Sequence, residues 1–265
     1  MMIVQRGVEH SPLPPASPQA PRRIAAWSGP RNISTALMRA WSQRPDTAVT
    51  DEPLYAHYLQ ATGLDHPGRD AIVAAGDTDW RRVAAALSAG PVPGARAVWY
   101  QKHMAHHLLP AMHAGWVHAL HNVLLIRDPA LVVASYTRAR ADVAPGDLGL
   151  LQQLALFQRL ADQTGRAPLV IDGERFLRAP RAHLRALCAD AALSFTPAML
   201  HWPAGPHPDD GVWAPHWYAA VWRSTGFEPA RPRAEPVLDT AARAVADACR
   251  PAYEQLLAQA IDPAA

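Results

Sequence analysis

The sequence has few cysteines, and they are not placed for a disulfide scaffold or a metal site. Two of its 265 residues are cysteines, Cys188 and Cys249, and they stand far apart in the chain. Isolated cysteines are typical of proteins from a reducing compartment, where disulfides do not persist. We therefore expect both cysteines to be core residues and the protein to be cytoplasmic.

Long apolar runs and a strong charge of one sign are also missing. No stretch approaches the roughly 18 apolar residues of a transmembrane helix, and no signal peptide is indicated. The formal net charge of +2 at pH 7 is too small for a broad field that attracts nucleic acids. We therefore expect neither a membrane nor a nucleic acid as a partner, and small anions remain as ligands.

Lysine is almost absent. The chain has 25 lysines and arginines together, and its one lysine is Lys102. A genome rich in G and C favours arginine wherever either residue serves, so chance explains one surviving lysine. The alternative is a site that needs a compact ammonium group rather than a planar guanidinium group. Both interpretations stay open.

Ordered structure is expected from residue 22 onward. Residues 11–21 read SPLPPASPQAP, a composition that does not pack as helix or strand, so we predict a disordered leader over residues 1–21. The remaining length, residues 22–265, fits one α/β domain better than two small ones. Nothing in the sequence indicates the oligomeric state.

Apolar runs and amphipathic segments alternate along this domain. Strands are predicted at residues 23–27, 48–51, 97–101, 122–127 and 169–171. Helices are predicted at residues 34–43, 54–61, 69–76, 79–88, 130–140, 146–164, 181–191 and 237–260, with a long ordered loop over residues 202–236. The strands are apolar throughout, as expected when helices cover both faces of a sheet. We predict a three-layer α/β fold with a mostly parallel sheet.

The stretch 24–38, IAAWSGPRNISTALM, has the arrangement of a loop that holds an anion between a strand and a helix. Gly29 allows the turn, Pro30 fixes the approach, and Arg31 supplies a fork of donors. Ser34 and Thr35 add hydroxyl groups at the helix N-terminus. The Lys-Ser/Thr ending of an ATP-binding loop is missing. For this segment alone, the alternative is a capped helix without a ligand.

Residues 30–35, PRNIST, resemble the loop Pro-Lys/Arg-Ser-Gly-Thr-Thr/Ser of the P-loop sulfotransferases, which use 3′-phosphoadenosine 5′-phosphosulfate (PAPS). The resemblance implies that Arg31, Ser34 and Thr35 bind the 5′-phosphosulfate. The whole loop that it implies for the nucleotide consists of Gly29, Pro30, Arg31, Asn32, Ser34 and Thr35. Ile33 replaces the usual glycine of the family loop.

A second stretch, residues 123–136, reads VLLIRDPALVVASY. Asp128 and Pro129 are typical of an N-cap and a first helical residue, and Ser135 follows Arg127 by eight positions. This spacing resembles the 3′-phosphate site of the same sulfotransferases, so Arg127 and Ser135 would hold that phosphate.

Further along the chain, Gly211-Val212-Trp213 is similar to the late Gly-x-Trp loop of the family, which closes over the cofactor. Gly211 and Trp213 would therefore also contact the nucleotide.

The resemblance implies in-line transfer of a sulfuryl group to a hydroxyl or amine of a small molecule, without a metal. Arg31 and Lys102 would stabilise the negative charge of the reacting group. A base must take the proton of the acceptor, and His103 and Glu52 are the candidates. We favour His103, whose imidazole titrates near neutral pH, which leaves Glu52 to bind or orient the acceptor.

Aromatic residues of the late loop are candidates for the wall of an acceptor pocket, namely Trp213, Trp217, Tyr218 and Trp222. Tyr55, His57 and Tyr58 are either core residues or acceptor contacts. We expect no metal site, because no carboxylate or cysteine completes a ligand set beside the six histidines of residues 103–121.

Two other functions remain as alternatives. One is a P-loop kinase or NTPase, in which Asp51 or Asp128 would hold magnesium. The other is a nucleotide-binding module of the same fold that has lost its activity.

Overall fold

The structure is a computed structural model that describes residues 20–138, 142–228 and 236–263. All but the last two residues of the predicted leader, 1–21, lie outside the described residues, as do part of the predicted loop 202–236 and the end of the predicted helix 130–140.

The described residues form one sheet of five parallel strands. The strands are β1 (Arg22–Ser28), β2 (Thr47–Asp51), β3 (Val98–Met104), β4 (His121–Ile126) and β5 (Leu169–Asp172). Their order across the sheet is β2-β3-β1-β4-β5. The predicted α/β class with a parallel sheet is confirmed, and the described sheet is entirely parallel.

Helices cover both faces of this sheet. They are α1 (Ser34–Ser42), α2 (Tyr55–Thr62), α3 (Arg69–Ala75), α4 (Trp80–Ala89), α5 (Pro129–Tyr136), α6 (Leu150–Thr164), α7 (Gly173–Arg178), α8 (Pro180–Asp190), α9 (Ala214–Trp217), α10 (Ala219–Trp222) and α11 (Thr240–Leu257). No helix among the described residues is long and apolar enough to cross a membrane.

The layers follow from the alternation of side chains along each strand. Ile24 of β1 packs in a core with α1, α7 and α8, whereas the next residue, Ala25, packs on the opposite face with α6. Leu124 of β4 joins a core with α5, α6 and α11. Cys188 and Cys249 are both buried, as predicted.

Three elements differ from the prediction. Strand β3 continues to Met104, three residues beyond the predicted end, so Lys102 and His103 are strand residues. The predicted helix 146–164 is broken at Gly149, whose φ of 73° separates a 3₁₀ turn, Pro145–Leu148, from α6. The predicted loop 202–236 contains the two short helices α9 and α10.

Candidate functional site

The carboxyl ends of β1 to β4 border one cavity of about 530 Å³. Ligands of parallel α/β folds bind at this edge of the sheet. Of the residues predicted for the site, the cavity is lined by Pro30, Arg31, Asn32, Ser34, Thr35, Glu52, Lys102, Arg127 and Ser135. Gly29, His103, Gly211 and Trp213 are not among its lining residues. The structure therefore brings the two predicted anion motifs and the lysine together.

The loop after β1 is held closely against its surroundings. A Cβ atom at Gly29 would lie 2.1 Å from the carbonyl oxygen of Leu148, so this position requires glycine. Asn32 donates from Nδ2 to the carbonyl oxygen of Leu125 in β4 at 3.1 Å, and its Oδ1 accepts from the N–H of Ile33 at 2.9 Å. Both contacts fix the entry to α1.

Helix α1 begins at the cavity without a side-chain cap. Its N-cap residue is Ile33, and no side-chain oxygen of the described residues caps the helix there. The first N–H groups of a helix have no partner within the helix and carry a partial positive charge. With the hydroxyl groups of Ser34 and Thr35 beside them, these N–H groups are able to donate hydrogen bonds to an anion.

Arginines add full positive charge to the same place. Arg31 has a left-handed backbone, with φ of 55°, and its Nε donates to Ser135 Oγ at 3.0 Å. Arg127 donates from Nη1 to the carbonyl oxygen of Arg31 at 2.6 Å and from Nη2 to Glu174 at 3.2 Å. Arg138 also lines the cavity. We call Arg31, Arg127, Arg138 and Ser135 the basic end of the cavity.

The charges at the basic end are not fully compensated. Burial lowers the pKa of Arg31, and the positive charges of Arg127 and Arg138 lower it further. Arg127 has Glu174 as a partner, whereas Arg31 has no carboxylate partner in the described part of the chain. A bound anion would relieve this repulsion.

The other end of the cavity contains Lys102 between two carboxylates. Its Nζ donates to Asp51 Oδ1 at 2.8 Å, to Tyr218 Oη at 2.8 Å, and also to Glu52 Oε1. Tyr218 Oη in turn donates to Asp51 Oδ2 at 2.7 Å. We call Asp51, Glu52, Lys102 and Tyr218 the acidic end of the cavity, since they include two carboxyl groups and only one ammonium group.

Glu52 combines a strained backbone with a perturbed acidity. Its φ of 36° lies in the left-handed region, which costs energy for a residue other than glycine and is common at functional sites. Burial raises the pKa of Glu52 and the charge of Asp51 raises it further, although the charge of Lys102 opposes them. The pKa of Lys102 is raised because Asp51 and Glu52 outweigh the effect of burial.

His103, the base favoured from the sequence, lies away from the cavity. Adjacent residues of a strand point to opposite faces, so His103 and Lys102 do not share a face of β3. The His103 ring stacks on Trp27, with 4.2 Å between the ring centroids. Burial and the nearby charge of Lys102 lower the pKa of His103 to about 3. In this position the imidazole does not contact a molecule in the cavity.

Gly211 and Trp213 lie behind the acidic end instead of covering the cavity. The N–H of Gly211 donates to Asp51 Oδ2 at 3.2 Å, and Trp213 Nε1 donates to Tyr218 Oη at 3.0 Å. A Cβ atom at Gly211 would lie 2.1 Å from the Trp213 ring, so the pair packs as one unit. These two residues hold Asp51 and Tyr218 in place.

Several lining residues were not assigned to the site from the sequence. They include His66, Met104, His106, His107, Tyr136, Arg138, Glu174, Leu177 and Phe227. Of these, Arg138 could have been assigned to the site from the sequence, because it follows Ser135 by three positions in the predicted helix 130–140. Of the aromatic candidates, Tyr55, Trp217 and Tyr218 line the cavity, whereas His57 bonds to the carbonyl oxygen of Thr78 at 2.8 Å.

The two aspartates considered for magnesium have other partners. Both oxygens of Asp51 accept hydrogen bonds at the acidic end. Asp128 caps α5 through the N–H of Ala130, as predicted, and pairs with both terminal nitrogens of Arg250. In the part of the chain that the structure describes, no group of three or more potential ligands lies together.

Solved structures share this fold. The chain matches the "Sulfotransferase Domain from the Curacin Biosynthetic Pathway" with a TM-score of 0.55 and 16% identity over 87% of this chain and 98% of that one. It matches the "Sulfotransferase Domain from the Synechococcus PCC 7002 Olefin Synthase" with a TM-score of 0.52 and 16% identity over 88% and 96% of the two chains. At this identity the likeness shows the fold alone.

Sequence relatives are found in a plant. The chain is 37% identical to "Branched-chain-amino-acid aminotransferase-like protein 1" of Arabidopsis thaliana over 82% of its own length but 39% of the relative's. It is also 37% identical to "Branched-chain-amino-acid aminotransferase-like protein 2" of the same plant, over 77% of its own length and 36% of the relative's. The chain therefore spans less than half of the length of either relative. A family model described as a sulfotransferase domain matches residues 22–260, and this chain therefore belongs to the sulfotransferase family.

Proposed function

We propose that the chain transfers a sulfuryl group from PAPS to a hydroxyl or amine of a small molecule. The observation that carries the proposal is the placement of Arg31 and Arg127 in one cavity with the carboxyl group of Glu52. Cations are needed where the anionic donor binds, and a base is needed where the acceptor loses its proton.

The residues at the basic end fit such a donor. PAPS has a phosphosulfate at its 5′ position and a phosphate at its 3′ position, and when bound it supplies the sulfuryl group. Arg31, Ser34, Thr35 and the N-terminus of α1 would hold the phosphosulfate, and Arg127 with Ser135 would hold the 3′-phosphate. Guanidinium groups bind such oxygens with two parallel hydrogen bonds.

Glu52 is the base in this proposal, in place of His103. As the acceptor oxygen or nitrogen bonds to sulfur, the bond from sulfur to the phosphate oxygen breaks, and the acceptor proton passes to Glu52. The phosphate leaves as part of 3′-phosphoadenosine 5′-phosphate (PAP). Arg31 would stabilise the negative charge that spreads over the transferred group.

We propose a role for Lys102 that differs from the one expected from the sequence. Its side chain is 1% exposed and its ammonium group bonds to Asp51 and Glu52, so its charge is compensated within the protein. We propose that Lys102 orients the carboxyl group of Glu52 instead of neutralising the sulfuryl group. An ammonium group suits this role because it donates to three separate partners.

The names of the plant relatives do not suggest a better function. Aminotransferases that use pyridoxal phosphate form a Schiff base with a lysine, and the one lysine of this chain is Lys102. Because it is buried and hydrogen-bonded to three side chains, we propose no aminotransferase activity for this chain.

Calorimetry with PAP and ATP tests the donor. We expect PAP to bind without magnesium and ATP to bind far more weakly with or without it. Transfer is then followed as PAP released from PAPS, with panels of alcohols, phenols and amines as acceptors. Magnesium-dependent ATP binding without PAP binding would favour a kinase, and PAP binding without transfer to any acceptor would favour an inactive module.

A further inference from the structure

Asp51 is the member of the acidic end that is buried and does not border the cavity. It accepts hydrogen bonds from Lys102 Nζ at 2.8 Å, from Tyr218 Oη at 2.7 Å and from the N–H of Gly211 at 3.2 Å. In the sheet, Asp51 of β2 is the register partner of Lys102 in β3. The position of this carboxylate is therefore set by the strands themselves.

Asp51 and Glu52 share the same two partners. Lys102 donates to both carboxyl groups, and Tyr218 Oη lies 2.7 Å from Asp51 Oδ2 and 3.4 Å from Glu52 Oε1. On one side, Lys102 and Tyr218 are held by Asp51, which does not border the cavity. On the other side, they contact Glu52, which does.

We propose that Asp51 is a positioning residue for proton transfer: it fixes Lys102 and Tyr218 against Glu52, and its charge keeps Glu52 able to accept a proton. This inference rests on the proposed function, in which Glu52 takes the proton of the acceptor.

The charges of this group support the assignment. One ammonium and two carboxylates carry a net charge of −1, and an uncompensated buried charge is costly. Uptake of one proton removes this charge. Asp51 accepts three hydrogen bonds and does not border the cavity, whereas Glu52 borders it, so Glu52 is the acid placed to take up a proton from a bound molecule. The raised pKa of Glu52, which burial and then Asp51 cause, is in line with this.

The titratable side chains that face Glu52 come from several elements. They are Asp51 from β2, Tyr55 from α2, Lys102 from β3, and Tyr218 from the turn between α9 and α10. Lys102 is the cation of this set, and Asp51 is the second acid. Replacing Asp51 therefore leaves Lys102 to pair with Glu52 alone, which favours the ionised form of Glu52.

The single lysine provides a direct measurement. Lysine labelled with ¹³C at Cε and ¹⁵N at Nζ gives one signal, from Lys102, in the full chain expressed with a lysine-free tag. Its chemical shift is followed against pH in the wild type, Asp51→Asn, Glu52→Gln and Tyr218→Phe. Neither a nucleotide nor an acceptor is needed.

In the wild type we expect a titration step of the Lys102 signal above the ordinary range of a glutamate, and Glu52→Gln should remove it. Asp51→Asn should move the step down by about one pH unit or more. Tyr218→Phe keeps the charge of Asp51 and removes a hydrogen bond that lowers the pKa of Glu52. The titration step of this variant should therefore stay at the wild-type pH or move to a higher pH.

A step at the same pH in Asp51→Asn and the wild type would overturn the proposal. If Asp51→Asn does not fold, the wild type and Glu52→Gln still decide, because a wild-type step in the ordinary range of a glutamate also overturns it. A raised step in a chain that does not bind PAP overturns the proposed function instead. The two failures are therefore read from different experiments.

Discussion

The basic and acidic ends of the cavity use charge in opposite ways. At the basic end, Arg31, Arg127 and Arg138 line the cavity, and Arg31 has no carboxylate partner within the described residues. At the acidic end, Lys102 is buried and bonds to Asp51, Glu52 and Tyr218. Within the part of the chain that the structure describes, the basic end can therefore gain a negative partner only from a bound molecule, whereas the cation of the acidic end already has partners within the protein.

Removing the proton acceptor should have the largest effect. Glu52→Gln keeps the size of the side chain and its contact with Lys102 but cannot take a proton. We expect transfer to slow by about 10²–10⁴-fold, with PAP affinity changed little, as measured by PAP release and calorimetry. Transfer at the wild-type rate would show that the base lies elsewhere.

Breaking the basic end should weaken binding instead. Arg127→Ala removes charge-assisted hydrogen bonds worth about 1.5–3 kcal/mol, so we expect PAP to bind about 10- to 100-fold more weakly. Adenosine 5′-phosphate, which lacks the 3′-phosphate, serves as the matched ligand and should lose much less. Equal losses for both nucleotides would contradict a 3′-phosphate contact.

The loop of the basic end also depends on close packing. In Gly29→Ala the added methyl group meets the carbonyl oxygen of Leu148, and overpacking of this kind costs about 1–3 kcal/mol. Denaturant unfolding measures the loss. Gly115→Ala is the matched control, because a Cβ atom there has nothing within 4 Å. Equal stability of the two variants would contradict the contact.

The residue that the sequence favoured as base should instead affect stability against pH. His103 has a folded pKa of about 3, well below about 6.5 in the unfolded chain. Below about pH 6.5, His103 therefore binds a proton in the unfolded chain but not in the folded one. The free energy of unfolding falls as the pH drops through this range.

His103→Phe keeps an aromatic ring on Trp27 but does not titrate. Between pH 7 and 5 it should lose about 2 kcal/mol less unfolding free energy than the wild type. Denaturant unfolding at both pH values measures this difference. The same loss in both proteins would show that His103 is not buried in its neutral form.

The smallest effect is expected at the partner of Arg127. Glu174→Gln frees the guanidinium group from a partly exposed ion pair, which contributes about 0.2–1 kcal/mol. We expect PAP to bind a few-fold more tightly in calorimetry. Weaker binding would mean that Glu174 positions Arg127 for the nucleotide more than it competes with it.

Much of the fold could be predicted from local patterns. Apolar runs marked all five strands of the described sheet, and Asp128 with Pro129 marked the start of α5, because N-cap chemistry depends on neighbouring residues. The order of the strands across the sheet could not be read in this way. It depends on which helices pack on which face, and those contacts join residues far apart in the chain.

The site was predicted unevenly for the same reason. The two anion motifs are each contiguous in sequence, and the structure brings them to one cavity. The choice of His103 rested on an imidazole that titrates near neutral pH, whereas the structure buries this ring against Trp27. Two adjacent residues of a strand point to opposite faces, so Lys102 and His103 could not both face the site.

The strand–loop–helix stretch 24–38, the Arg127–Ser135 spacing, the parallel α/β class and the single lysine could all be read from the sequence, since each depends on residues close together in the chain. Long-range packing places Lys102 between Asp51 and Glu52, adds Tyr218 to them and stacks His103 on Trp27. Side chains separated by up to 167 positions, as Asp51 and Tyr218 are, meet because strand order and the return of the chain after α8 bring them together.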